Sequence, residues 1–132
     1  MKKLSNKVAA ITGAGSGIGR SLAINLAQEG CHLALSDINQ EDVAETAKML
    51  KGYPVKVTHG KLDVSDQKEM FSWADQVVEE HGKVNLIFNN AGVGLAGTVE
   101  SSKMEDIEWV MGINFWGTVC GVKAFIPHLQ AS

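Results

Sequence analysis

Short continuous apolar runs alternate along the chain with segments whose apolar residues recur every three or four positions. The runs are Val8-Ala9-Ala10-Ile11, leading into Thr12, then His32-Leu33-Ala34-Leu35-Ser36, then residues 55–59, then Val84-Asn85-Leu86-Ile87-Phe88. Runs of this length without polar alternation predict strands buried on both faces. Between the first two, Ile18, Leu22 and Leu26 with Ala23 and Ala27 form one helical face, which predicts a helix over 18–29 stopped by Gly30. Asn39 is placed to cap a helix over 40–51 that turns Val43, Ala44, Ala47 and Leu50 inward and ends at Gly52-Tyr53-Pro54. Ser65 or Asp66 caps the next, running to about His81, and Gly82 stops it. The last helix is expected from Met104 to about Phe125, ended or kinked by Pro127.

Strands alternating with helices of this length predict βαβ units, right-handed crossovers and a parallel sheet. The expected fold is α/β, a doubly wound sheet in three α/β/α layers with strand order 3-2-1-4. The 132 residues suffice for one domain. A fifth strand is expected to follow beside strand four, so residues 1–132 read as an incomplete domain, either a fragment or the ordered part of a larger protein.

Composition changes this picture little. The chain is 45% hydrophobic and 20% charged, with a net charge of −3 from 12 basic and 15 acidic residues. Without a basic run, neither nucleic acid nor an anionic membrane is an expected partner. No stretch reads as approaching the ~18 apolar residues of a membrane span. Cys31 and Cys120 lie far apart in apolar contexts and read as buried free thiols of a cytoplasmic protein. The four histidines and two cysteines show no metal-ligand spacing, and no metal is expected. No G-x-S-x-G nucleophile elbow occurs, since Ala14 stands two positions before Ser16.

The candidate chemistry begins at Thr12-Gly13-Ala14-Gly15-Ser16-Gly17-Ile18-Gly19, between the first strand and the first helix. Helix-opening N–H groups lack partners and sit at the positive end of the helix dipole, and glycines let an anion approach them. The spacing does not fit G-x-G-x-x-G, which from Gly13 would need glycine at Ile18. It fits T-G-x-x-x-G-x-G, and on these residues the chain resembles the short-chain dehydrogenase/reductases. A turn that merely reverses the chain is the competing reading. Gly13, Gly15 and Gly17 also satisfy the G-x-G-x-G of methyltransferases, but Ile11 stands where that family has an acid.

The resemblance implies a Rossmann-type domain in which Gly13, Gly15, Ser16, Gly17, Ile18 and Gly19 border the cofactor pyrophosphate. Asp37 lies 20 positions after Gly17 at the end of strand two. A carboxylate there can accept both hydroxyls of an adenosine ribose and repels a 2′-phosphate. Family members that prefer NADP are similar in carrying a basic residue at the position held here by Ser16 or at that held by Ile38, so NAD is expected rather than NADP. Asp37 could otherwise be a loop acid or a cap, for which Asn39 competes. The resemblance places Asp63 and Val64 beside the adenine, where the residues alone read equally as a capped turn. It lays Asn90-Ala91-Gly92 along the cofactor and gives Asn89 the role of tying strands together. Two amides at the end of an apolar strand need hydrogen-bond partners in any case.

Asn114 lies among large apolar residues in the last helix and is expected to be buried and bonded. The resemblance makes it the asparagine that holds a water for a proton relay to a catalytic lysine. Relatives transfer hydride with a Ser and a Y-x-x-x-K pair located after the fifth strand. Tyr53 is the sole tyrosine and Val57 stands four residues on, so that pair is absent and the 132 residues alone are expected to be inactive. Apolar Ile107, Val110, Met111, Phe115 and Val119 exceed what one sheet face needs. By resemblance the helix pairs across a homodimer or homotetramer interface, whereas the tryptophans read as packing residues. The implied function is NAD-dependent interconversion of a secondary alcohol and a ketone. The alternative is an NAD(H)-binding sensor or scaffold without catalysis.

Overall fold

A computed structural model describes residues 3–132. Strands β1 (Val8–Ile11), β2 (His32–Asp37), β3 (Val57–Lys61) and β4 (Leu86–Phe88) form one parallel sheet in the order β3-β2-β1-β4. Helices α1 (Gly17–Gln28), α2 (Gln40–Met49) and α3 (Gln67–His81) connect them. After β4 come α4 (Met104–Met111), a π-helical stretch (Gly112–Trp116) and α5 (Gly117–Gln130). This is the three-layer order expected from the alternating pattern.

Successive strand residues point to opposite faces, and the two-residue period of β1 and β2 makes two cores. On one face Ala9, Ile11, Leu33 and Leu35 pack against Ala23, Leu26 and Ala27 of α1 and Val43 of α2. On the other, Val8, Ala10 and Ala34 meet Met70, Trp73, Ala74 and Val77 of α3 and Ala124 and Phe125 of α5. Trp73 and Phe125 stack edge to face with centroids 5.3 Å apart, and Phe125 is fully buried. Side chains of this size contribute about 2–3 kcal/mol each by leaving water.

Several boundaries moved for local reasons. β3 begins at Val57 rather than at 55, because Pro54 holds a tight turn in which the Val55 N–H donates to Tyr53 O (2.8 Å). The next N–H, of Lys56, donates to His32 Nδ1 (2.9 Å). β4 begins at Leu86 because Asn85 is spent bonding β1, its Oδ1 accepting the Val8 N–H at 2.9 Å. Asp66, not Ser65, caps α3 by accepting from the Glu69 N–H, and Asn39 caps α2 by accepting from that of Asp42. Pro127 does not end the last helix, which runs through it to Gln130. A proline in the last turn removes one N–H where the helix is about to stop, so only the Lys123 carbonyl loses its bond.

Two further expectations are corrected. The stretch Met104–Gln130 forms 27 continuous helical residues that are long and apolar enough to cross a membrane by length and composition. In the sequence Glu105, Asp106, Glu108 and Lys123 break up the apolar residues of this stretch. In the fold α5 lies on α3 and the sheet. Asn89 does not tie strands together here: its buried Oδ1 has no partner among the described residues. It packs instead against Gly121 of α5, where an added Cβ would lie 1.9 Å from that oxygen.

One ionisable group follows directly from this packing. His81, half-buried at the end of α3, has Nε2 2.8 Å from Thr58 Oγ1. Burial is the main cause holding its pKa below the usual 6.5, Lys56 and His32 push it the same way, and Glu80 opposes them. The folded chain therefore binds this proton less readily than the unfolded chain. His81 costs nothing above about pH 6.5 and lowers stability as pH falls below it. Denaturant midpoints should drop between neutral and mildly acidic pH, and His81→Gln should flatten that part of the slope.

Candidate functional site: a cleft at the carboxyl edge of the sheet

The C-terminal ends of β1, β2 and β4 release three loops toward one another, and Thr12 joins two of them. Its buried Oγ1 accepts the Asn90 and Ala91 N–H groups (3.0 Å each), and its hydroxyl donates to Phe88 O (3.4 Å). Asn90 Nδ2 donates to Gly13 O at 3.2 Å. Gly13 sits at φ +66 against this loop, where an added Cβ would lie 2.9 Å from Ala91 Cα. A second brace comes from α2: Thr46 Oγ1 donates to Ala14 O (2.8 Å), and Arg20 Nε donates to Thr46 Oγ1 (2.9 Å). The glycine-rich loop is fixed from both sides.

The loops and α4 enclose a cleft of about 470 Å³. Its walls hold Gly13, Ser16, Gly17, Ile18, Asp37, Ile38, Asp63, Val64, Asn90, Ala91 and Gly92, together with Leu62, Val93, Trp109 and Ile113. Gly15 and Gly19, expected at the cofactor, lie outside it and are buried. They shape the loop instead. Gly15 N–H donates to Asp37 Oδ2 (2.8 Å), and a Cβ on Gly19 would fall 2.1 Å from Gly13 O.

Asn114 also lies outside the cleft wall, and it is exposed rather than buried. It stands in the π-helical stretch, where its amide grips the loop after Gly92. Oδ1 accepts the Val93 N–H (2.9 Å) and Nδ2 donates to Val93 O (2.8 Å).

The mouth of α1 suits an anion. Its N-cap, Ser16, makes no side-chain capping bond, and no acidic residue stands in its first turn. α2 and α3 differ, with bonded caps and acidic first turns. Gly17 is at φ +52 with nothing among the described residues within 4 Å of an added Cβ, so the backbone N–H groups there are open to a ligand. Asp37 accepts from Gly15 and Asn39 (2.8 and 3.0 Å), one bond on each oxygen. Each oxygen keeps a lone pair for a further donor. Asp63 Oδ1 accepts from Ser65 N and Oγ (3.0 and 2.6 Å). An anion site, two carboxylates and exposed apolar Ile18 and Ile38 fit a dinucleotide with a pyrophosphate, ribose hydroxyls and a flat base.

Thr12 is more than a motif letter, and Arg20, Thr46 and Ile113 join the site without a motif to mark them; Trp109 and Trp116, expected to pack, are exposed, and Trp109 stands in the cleft wall. The helical spacing of Trp109 and Ile113, four apart, was the available signal for these two.

A doubly wound α/β domain with a ligand cleft at its carboxyl edge is the class that fold and site define. The chain belongs to the short-chain dehydrogenase family, whose profile (short chain dehydrogenase) matches residues 7–132. It is 43% identical over 132 residues to SadH of Mycobacterium tuberculosis (strain CDC 1551 / Oshkosh), which bears the name of an oxidoreductase; the match covers 100% of this chain and 48% of SadH. It superposes on a short-chain dehydrogenase/reductase from Burkholderia phymatum in complex with NAD with a TM-score of 0.95 and 40% identity. That match covers 99% of this chain and 47% of the other. NAD+-bound xylitol dehydrogenase gives 0.94 at 32% identity, covering 98% of this chain and 50% of that one. The chain spans about half the length of each of these three relatives.

Proposed function

We propose that this chain binds NAD in the cleft and serves as the cofactor-binding half of an oxidoreductase interconverting a secondary alcohol and a ketone. The observation that carries the reading is the unneutralised mouth of α1 opening into a cleft that also holds Asp37. In it Ser16, Gly17 and Ile18 hold the pyrophosphate, and Asp37 takes the adenosine ribose hydroxyls. Asp63 and Val64 border the adenine, and Asn90, Ala91 and Gly92 border the nicotinamide side. Gly13, Gly15 and Gly19 give the loop its shape. Neither Ser16 nor Ile38 is basic, so nothing at those positions balances a 2′-phosphate against Asp37. Bound NAD supplies the hydride acceptor. Asn114 fixes Val93 and through it the loop along the cofactor, and we assign it the water of the proton relay.

The exposed apolar side chains of the last helix, Met111, Phe115, Trp116, Val122 and Ile126, support self-association as a dimer or tetramer. The free thiols Cys31 and Cys120 support a reducing, cytoplasmic setting.

The test is NADH formation by the full-length protein from NAD and a panel of secondary alcohols. Turnover supports the reading; NAD binding without turnover on any alcohol or ketone favours the sensor or scaffold. Asn114→Ala removes both bonds to Val93. Its kcat is expected to fall about a hundredfold while NAD affinity changes only a few-fold, read from steady-state kinetics beside a binding titration.

A further inference from the structure

Of the three tryptophans, Trp73 is buried against Phe125, and Trp116 stacks edge to face on its neighbour Phe115. Trp109 is different. It is 51% exposed and yet forms part of the cleft wall. We propose that Trp109 is the aromatic surface on which the adenine ring stacks, a role that rests on the cleft being the NAD site.

The placement follows from the helix. Gly112 lies over Ser65, an added Cβ meeting Ser65 Cβ at 3.7 Å, and Gly117 presses on Val64, at 2.8 Å from Cγ2. Ile113 packs on the same cluster as Val64. This side of the helix therefore covers the turn after β3 that carries Asp63 and Val64. Trp109 precedes Gly112 by three residues and Ile113 by four, so it shares their face one turn farther out. The cleft wall holds Trp109 and Ile113 from the helix together with Leu62, Asp63 and Val64 from the turn. A cleft wall that carries an indole beside the apolar Leu62, Val64 and Ile113 suits a flat heterocycle. Its polar complement is Asp63, whose Oδ1 is held by Ser65 while Oδ2 has no hydrogen bond among the described residues.

A half-exposed indole in a cleft has the exposed π face that base stacking uses. Such stacking tolerates any base and discriminates against ligands without one. Trp109 should thus serve every adenine-bearing ligand, whether or not nicotinamide is attached.

The experiment is calorimetric titration of the full-length protein and its W109A, W109F and W109L variants with NAD, ADP-ribose and nicotinamide mononucleotide. W109A is expected to weaken NAD and ADP-ribose about tenfold and to leave nicotinamide mononucleotide unchanged. W109F should retain most of the affinity, and W109L, which keeps apolar bulk without a π face, should not. ADP-ribose should also quench tryptophan emission in the parent protein and fail to do so in W109F. Unchanged ADP-ribose affinity in W109A and W109L, with NAD still bound by the parent, overturns the role of Trp109 alone. Failure of the parent to bind either NAD or ADP-ribose overturns the cofactor reading beneath it.

Discussion

Gly19→Ala is expected to abolish NAD binding and to destabilise the fold by about 3 kcal/mol. The added methyl would lie 2.1 Å from Gly13 O and 2.7 Å from Asn90 Nδ2, which are themselves hydrogen-bonded to each other. Gly13 cannot retreat freely, because the Ala91 backbone lies close to it and Thr12 pins Asn90 and Ala91. Relief therefore requires parting the two loops or tilting α1 away from the sheet, and either opens the cleft. Gly17→Ala is the informative control. Among the described residues nothing lies within 4 Å of its added Cβ, but φ is +52, so the cost is limited to about 1–2 kcal/mol of backbone strain. Its methyl stands where the pyrophosphate is placed, so NAD binding should be lost from a protein that still folds. Chemical denaturation paired with NAD titration separates the two. A Gly19→Ala protein with parental stability and affinity would show that the loop contact does not matter.

Asp37→Ala should weaken NAD by a factor of about a hundred or more and erase the preference over NADP. Hydrogen bonds to an ionised acceptor contribute about 1.5–3 kcal/mol each, and the carboxylate is assigned two ribose hydroxyls. It also holds the Gly15 and Asn39 N–H groups, so the variant slackens the glycine loop as well. The 2′-phosphate of NADP loses its repulsion when the carboxylate goes, and its binding should fall much less than that of NAD. Titrating both dinucleotides into parent and variant reads the ratio directly. An unchanged ratio would remove Asp37 from the ribose.

The sequence made the sheet order and the position of the glycine loop legible because each rests on a local pattern: apolar runs, three-to-four spacing, and Gly17 where an open backbone is needed. Bonds between segments distant in sequence were not legible. Nothing near Thr12 announces that its hydroxyl receives two N–H groups from residues 90 and 91. The Arg20–Thr46 brace behind Ala14 is likewise invisible. Gly15 and Gly19 read as ligand contacts because a motif does not say which of its glycines face outward. Asn114 read as buried because its neighbours are apolar, but Phe115 and Trp116 are themselves exposed. Hydrophobic surroundings in sequence imply burial only where something covers that face.

The most direct test is backbone hydrogen exchange of the full-length protein with and without saturating NAD. The account predicts slowed exchange at the amides of residues 16–19 and 90–93, with no comparable change on the far side of the sheet around residues 52–56. NAD binding that leaves residues 16–19 unprotected would contradict it.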